Sequence, residues 1–120
     1  MLKDTDQANV SEVLYAIAHI EEYLSSTITL DDLLANTMVY DAVMMNFILI
    51  GEACKRLSKE LKAANPQVDW KGLNGYRNFI AHEYFGVDEN IVWAAIKLEL
   101  PKLKQELEVM LQQDDGSPAI

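Results

Sequence analysis

An arginine and a histidine lie five residues apart in the segment "GYRNFIAHEYFG", and both residue types suit phosphodiester chemistry. The guanidinium of Arg77 is permanently charged and matches the oxygens of a phosphate. His82 can transfer a proton near neutral pH, while Asn78 can orient the imidazole or a substrate oxygen. RNA carries its own nucleophile, the 2′-hydroxyl, so this chemistry requires neither a metal nor a cofactor. The alternative is an ordinary packed helix with polar residues on its outer face.

Helical geometry restricts how these side chains can meet. Asn78 and His82, four residues apart, share one face of a helix, and Arg77 and Tyr84, seven apart, share another. Arg77 and His82 are separated by about 140° at ~100° per residue, so one straight helix cannot direct both at a single atom. Either the helix is distorted here, or the reacting group lies in a groove where two copies meet. A two-fold homodimer would provide the second arrangement, with one histidine acting as base and the other as acid.

Charge is distributed unevenly along the chain. The net charge of −9 argues against a general nucleic-acid coat protein. Between residues 55 and 77, however, six basic residues face two acidic ones, a net of +4, which leaves −13 elsewhere. A basic run by itself is usually a solvated helix face. Because this run leads directly into the arginine–histidine segment, we expect four of its members to bind RNA: Lys55, Arg56, Lys59 and Lys71.

Length and composition indicate one soluble domain. A chain of 120 residues that is 50% apolar has room for a single core. The lone cysteine, Cys54, excludes an internal disulfide and suits a reducing compartment. The N-terminus lacks the features of a secretory signal, and the apolar run "AVMMNFILI" is too short to span a bilayer. These features predict a cytoplasmic protein without a membrane segment.

The apolar residues recur with helical spacing almost throughout, which predicts an all-α fold, an antiparallel up-and-down bundle of four to five helices. The bundle should occupy residues 1–113, followed by a flexible tail at 114–120. A first helix is expected from about Asn9 to Ser25, and Thr29 should cap a short second one. The third should begin at Asn36 or Thr37 and reach about Ala64.

The second half of the chain is expected to contain two further helices. Asp69 should cap a turn entering the helix that carries the arginine–histidine segment, and Gly86 is well placed to end that helix. Asp88 should cap the final helix, which Pro101 should kink or divide.

The third predicted helix is apolar nearly all round between Ala42 and Ile50 and is broken only by Asn46. Such a helix must be covered on more than one side, either by its own bundle or by a second copy of the protein. We therefore expect Asn46 to bond across a dimer interface or to lie near the candidate site. Glu52 is either a surface acid or the partner of Arg77 or Lys55 that supports the site.

Two further side chains could attract a functional interpretation, and for both we expect a structural role. Cys54 should be a small packing residue, because a catalytic thiol needs a nearby histidine. His19 should be a surface histidine, because no matching set of metal ligands surrounds it in the sequence.

The stretch "RNFIAHEY" resembles the RxxxxHxY signature of the HepT-like toxins of the HEPN superfamily. The resemblance extends through "ILIGEACKRLSKEL", "NPQVDWKGLNGYRN" and "YFGVDENIVWAAIKLELPKL", and so covers about Asn36 to Leu103. It implies a HEPN-like helical homodimer with metal-independent ribonuclease activity at a composite site. It also implies a type VII toxin–antitoxin system, in which the partner is an MntA-like minimal nucleotidyltransferase antitoxin.

The resemblance also implies roles for individual residues. Arg77 and His82 match the catalytic pair, Asn78 matches the supporting polar residue, and Tyr84 matches the tyrosine that the antitoxin modifies by AMPylation. The alternative is a non-catalytic HEPN dimer that binds a nucleotide or a nucleotidyltransferase.

Overall fold

The computed structural model describes residues 2–27, 29–82 and 86–114, and within these ranges the chain forms helices and no strand. The helices are α1 (Asp4–Tyr23), α2 (Leu30–Leu34), α3 (Thr37–Arg56), α4 (Lys59–Ala64), α5 (Trp70–His82), α6 (Glu89–Ala94) and α7 (Leu100–Asp114), with a π-helical segment at Ala95–Glu99. The all-α prediction is confirmed for the described residues. The predicted tail from 115 onwards lies outside them.

Short polar side chains begin most of these helices, as the sequence predicts. Thr29 and Asp32 form a reciprocal capping box at α2. The side chain of Asn36 accepts a hydrogen bond from the N–H of Val39 at the start of α3. Asp69 accepts one from the N–H of Gly72, and Asp88 accepts one from the N–H of Asn90, which confirms both as caps.

Two predicted helix boundaries are wrong for the same reason. The first helix begins at Asp4 rather than near Asn9, and the third ends at Arg56 rather than near Ala64. Ser58 starts a separate helix, α4, by accepting a hydrogen bond from the N–H of Leu61. The buried carboxylate of Asp6 accepts hydrogen bonds from both the N–H and the hydroxyl of Ser58. A contact across 52 residues thus extends α1 and interrupts the long helix.

The helix α3 lies at the centre of the fold, between α1 and α5, and α1 also packs on α7. By length and composition alone the whole of α3 could cross a membrane, although the continuous apolar run "AVMMNFILI" within it is too short to do so. An 18-residue window of α3 is 44% buried inside the fold, so α3 is also a core helix of the bundle.

The helix α3 is not covered on every side within one chain. Val43, Phe47 and Ile50 are fully buried, whereas Met45 and Leu49 have 56% and 41% of their surface exposed. The sequence left open whether the bundle itself covers this helix, and the single chain leaves one side of it uncovered.

Pro101 distorts the last helix without ending it. In a regular α-helix its ring would clash with the carbonyl four residues back, and it has no N–H to donate. The π-helical segment precedes it, with the N–H of Leu100 donating to the carbonyl of Ala95, five residues back. Helical structure therefore continues from α6 through α7, so of the two outcomes predicted for Pro101, a kink or a division of the helix, the division does not occur.

Candidate active site

The candidate site forms where α3 and α5 pack closely against each other, at Gly51 and Arg77. A Cβ atom built on Gly51 would overlap the Cβ of Arg77 and would lie 2.8 Å from its Cγ. Only a residue without a side chain allows the two helices to cross at this separation. The glycine at position 51 therefore sets the distance between the backbone of α3 and Arg77.

The guanidinium of Arg77 is held by two neighbours. Its Nε donates to Oε1 of Glu52, and its Nη1 donates to Oδ1 of Asn78. The side chains of Arg77 and Glu52 are 22% and 34% exposed, so the pair is only partly screened by solvent. Of the two options that the sequence left for Glu52, the ion pair is confirmed, and the partner is Arg77.

The residue His82 is the last of α5 and is exposed. Lys71, Gly75, Asn78 and His82 follow one another at spacings of four, three and four residues, which places them on one face of α5. A Cβ on Gly75 would meet nothing within 4 Å, so this face is open at its centre. Arg77 instead contacts α3 at Gly51 and Glu52, as expected for residues five apart on a regular helix.

The residues predicted to bind RNA divide into two groups. Lys55 and Lys71 line a common pocket together with Lys62, which sequence reasoning did not select. Arg56 lies elsewhere, donating to Glu12 and Asn9 of α1, and so takes part in holding α1 to α3. Lys59 is exposed in the first turn of α4 and does not line this pocket.

The structure also bears on the roles predicted for Asn46, Cys54 and His19. Asn46 is buried, and its Nδ2 donates to the carbonyl of Ala42 in the same helix, so that donor needs no partner from a second copy. Cys54 is buried, and burial raises the pKa of its thiol to about 12, with a smaller opposing effect of Lys62. It is a packing residue, as predicted.

The histidine His19 lies on α1 between two tyrosines rather than at a site. Its ring meets Tyr15 edge-on at 4.5 Å between centroids and stacks on Tyr23 at 5.8 Å. Among the described residues, no group of three or more His, Cys, Asp and Glu side chains could hold a metal ion.

The residue Tyr84, predicted as the site of modification, lies outside the described residues. Among the described residues, sequence reasoning missed Gly51 at this site, in addition to Lys62 of the neighbouring pocket. The signal for Gly51 was nevertheless present, because a glycine within an apolar helix costs about 1 kcal/mol relative to alanine and therefore indicates a packing requirement.

The chain resembles known proteins over most of its length. Residues 13–110 match the HepT-like family, described as "Ribonuclease HepT-like". A protein named "Probable ribonuclease HepT" from Thermococcus cleftensis is 30% identical over 107 residues, which cover 89% of this chain and 96% of the relative.

Two further relatives are also named for ribonuclease activity. One, named as a putative RNase of Caldanaerobacter subterraneus, is 38% identical over 73 residues, or 61% of this chain and 65% of the relative. A protein of Methanocaldococcus jannaschii, named as both a gamma-glutamylcyclotransferase and a putative RNase, is 33% identical over 106 residues, covering 88% of this chain and 47% of its own.

This chain matches slightly less than two thirds of the length of three relatives that are named as putative RNases, at 62–65% of each. No solved structure matches. The matched region nevertheless covers both helices that build the Arg77 site, together with the segment from Arg77 to Tyr84 that carries the signature. The chain therefore belongs to the HepT-like family of the HEPN superfamily.

Proposed function

We propose that the protein is a metal-independent ribonuclease toxin that cleaves RNA by attack of a 2′-hydroxyl on the adjacent phosphorus. Arg77 and His82 carry out the catalysis with support from Asn78. The toxin belongs to a type VII system of the HepT/MntA kind and works in the cytoplasm. The observation that carries the proposal is the fixed guanidinium of Arg77, which lies in a chain whose family and relatives are named for ribonuclease activity.

The contacts of Arg77 leave it able to bind a phosphate. A guanidinium has five N–H groups, and the described contacts with Glu52 and Asn78 use two of them. The remaining three can donate to phosphate oxygens. Because Glu52 and Asn78 hold the plane of the guanidinium, little reorganisation is needed as negative charge develops in the transition state.

A homodimer would complete the site. Met38, Met45 and Leu49 lie at seven- and four-residue spacings on α3, and their exposed fractions are 84%, 56% and 41%. This apolar stripe continues on the same face to Glu52, which holds Arg77. A second copy seated on the stripe by a two-fold axis would bring its own Arg77 and His82 towards those of the first.

The reaction at such a composite site can be written with two histidines. One accepts the proton of the 2′-hydroxyl as its oxygen forms a bond to phosphorus, and the other protonates the departing 5′-oxygen as its bond to phosphorus breaks. The products are a 2′,3′-cyclic phosphate and a 5′-hydroxyl. Arg77 stabilises the charge on the non-bridging oxygens.

Control of the activity is assigned to Tyr84, two residues after His82. An MntA-like nucleotidyltransferase would attach AMP to its hydroxyl, which adds negative charge and bulk beside the position of the RNA phosphate. Intact-mass measurement of protein produced with and without that partner tests this step. An added mass of one or more AMP units should appear only with the partner and should be lost in Tyr84→Phe.

The catalytic proposal is tested with end-labelled RNA and AMP-free protein in the presence of EDTA. His82→Ala should lower the cleavage rate by about 10²- to 10⁴-fold and Arg77→Lys by about 10²- to 10³-fold, because lysine cannot contact Glu52, Asn78 and phosphate with one planar group.

The chain contains a matched control for each of these substitutions. It has one other histidine and one other arginine, so His19→Ala and Arg56→Lys should cleave at nearly the parental rate. Cleavage that persists in His82→Ala would refute the catalytic assignment. Absence of cleavage by the parent, with tight binding of the nucleotidyltransferase by both parent and His82→Ala, would instead favour the non-catalytic binding module.

A further inference from the structure

A second candidate binding feature lies beside the site, where the end of α3, α4 and the beginning of α5 meet. Here a pocket of about 250 Å³ is lined by Cys54, Lys55, Lys62, Trp70, Lys71 and Asn74. Three of the six lining residues are lysines in a protein whose net charge is −9. A basic pocket in an acidic protein suits an anionic ligand.

These lysines are available to a ligand. In the part of the chain that the structure describes, none of the three pairs with a carboxylate. Lys62 donates to the backbone carbonyl of Lys55 at 3.3 Å, which leaves its charge uncompensated. Two acids near the pocket in sequence are already engaged, Glu52 by Arg77 and Asp69 by the N–H of Gly72.

A fixed aromatic ring lines the same pocket. The indole N–H of Trp70 donates to the carbonyl of Asn65 at 3.0 Å, which holds the ring in one orientation. A base can stack on a held ring of this kind at a low entropic cost, whatever the identity of the base. The combination of lysines with tryptophan therefore favours a nucleotide over a simple inorganic anion.

The lining residue Asn74 has a buried side-chain oxygen without a hydrogen-bond partner. Oδ1 of Asn74 is the one buried side-chain oxygen or nitrogen without a hydrogen bond in residues 2–27, 29–82 and 86–114. Leaving a buried acceptor unpaired is unfavourable, so such a group calls for a donor. A nucleotide carries suitable donors in its ribose hydroxyls and its exocyclic amino groups.

The pocket is continuous with the face of α5 that carries the candidate catalytic residues. Lys71 lies on the same helical face as Asn78 and His82, and its Cα precedes that of Asn78 by about 10 Å along the axis at ~1.5 Å per residue. We propose that the pocket is a nucleotide subsite that holds a residue of single-stranded RNA flanking the scissile phosphate. The proposal rests on the ribonuclease function above and adds Lys62, Trp70 and Asn74 to the RNA-binding surface.

Binding is best measured separately from cleavage. Fluorescence anisotropy of a 5′-labelled 12-nucleotide RNA should be recorded with His82→Ala protein at several salt concentrations, and the pocket substitutions should be added in that background. Each lysine that contacts a phosphate of a single strand contributes about 0.7 to the slope of log K against log salt, or about fourfold in affinity at 0.15 M salt. The pair Lys62→Gln and Lys71→Gln should thus weaken binding about 15-fold and reduce the slope by about 1.4.

The chain offers a control with the same change in net charge. Lys97→Gln with Lys102→Gln removes two exposed lysines that do not line the pocket, and it should weaken binding less than threefold. Lys71→Gln alone changes an exposed side chain and should give about fourfold. A pocket pair no weaker than the control pair overturns the subsite.

Asn74→Ala supplies an independent measurement. It removes a buried acceptor that has no partner in the described structure, so it should not lower the melting temperature, yet it should weaken RNA binding by about two- to tenfold. If DNA of the same sequence is affected equally, the donor is a base amino group. An effect on RNA alone identifies the 2′-hydroxyl, and no effect on either removes Asn74 from the subsite.

The two proposals can fail separately. Cleavage by the parent combined with equal RNA binding by pocket and control variants refutes the subsite and keeps the ribonuclease. Weakened binding by the pocket variants, without cleavage by the parent, keeps the subsite and refutes the ribonuclease. Absence of RNA binding by every form overturns the subsite.

Discussion

The contact between Gly51 and Arg77 makes a quantitative prediction for the substitution Gly51→Ala. The added Cβ would overlap the Cβ of Arg77 and lie 3.5 Å from its Cα, where the optimal separation of two carbon atoms is about 3.5–4.0 Å. The position of a Cβ is set by the backbone and not by the side-chain rotamer. Rotation of Arg77 therefore cannot relieve the overlap, and α5 must move away from α3.

The expected size of the effect follows from two opposing terms. Alanine is favoured over glycine within a helix by about 1 kcal/mol. Inserting a methyl group into a packed interface costs about 1–3 kcal/mol. Gly75→Ala is the matched control, because Gly75 also lies within a helix but has nothing within 4 Å of its added Cβ. The propensity gain is common to both variants, so Gly51→Ala should be less stable than Gly75→Ala by about 1–3 kcal/mol.

Urea unfolding followed by circular dichroism measures this difference. With a slope of roughly 1–3 kcal/mol per molar urea, the two midpoints should differ by on the order of 1 M. Gly51→Ala should also cleave RNA at least about tenfold more slowly, since misplacing a catalytic group by about 1 Å can cost up to 10²-fold. Equal stability of the two alanine variants would show that the helices do not cross as closely as described.

Two other predictions concern stability. Burial raises the pKa of the Cys54 thiol from 9.0 to about 12. Between pH 9 and 12 the folded state therefore keeps a proton that the unfolded state loses. The free energy of unfolding should fall by about 1.4 kcal/mol per pH unit in this range. Urea unfolding at pH 8 and pH 10.5 should show this loss in the parent and not in Cys54→Ala, and parallel losses would contradict it. Ser58→Ala should lose about 1–3 kcal/mol, because it removes the cap of α4 and one hydrogen bond to buried Asp6. The exposed Ser11→Ala should be neutral within about 0.5 kcal/mol, and an equally small effect of Ser58→Ala would refute that role.

Features encoded by a few adjacent residues could be predicted from the sequence. Thr29, Asn36, Asp69 and Asp88 act as caps because a short polar side chain bonds to an N–H two or three residues later, and all four follow from local pattern alone. The spacing of Arg77 and His82 likewise required no knowledge of the fold.

Features that depend on distant partners could not be predicted in this way. No proline or glycine marks the end of α3 at Arg56, because the interruption depends on Ser58 and on Asp6, 52 residues earlier in the chain. The basic run from 55 to 77 could not be divided by composition, because the pairing of Arg56 with Glu12 exists only once α1 packs on α3. Tertiary packing therefore decides which basic side chains of this run lack a carboxylate partner and can bind an anionic ligand.

The two arginines illustrate how charge is used in this protein. Both are paired with glutamates, so neither adds much to the net positive potential that would attract RNA in the proposed function. Arg56 and Glu12 are each 50% exposed, and such a pair contributes about 0–1 kcal/mol to stability. Arg77 is more buried and is held from two sides, which suits positioning rather than attraction.

In the proposed ribonuclease, attraction of the RNA would then fall to the lysines of the pocket, which lack carboxylate partners in the described chain. This division of roles has a measurable consequence. Arg77→Lys should slow cleavage at saturating RNA while leaving the salt dependence of binding nearly unchanged, because the formal charge is kept. The pocket variants Lys62→Gln and Lys71→Gln should do the reverse. A lowered salt slope in Arg77→Lys would mean that the guanidinium, through its geometry, contributes to attraction as well as to catalysis, and the assigned division would be wrong.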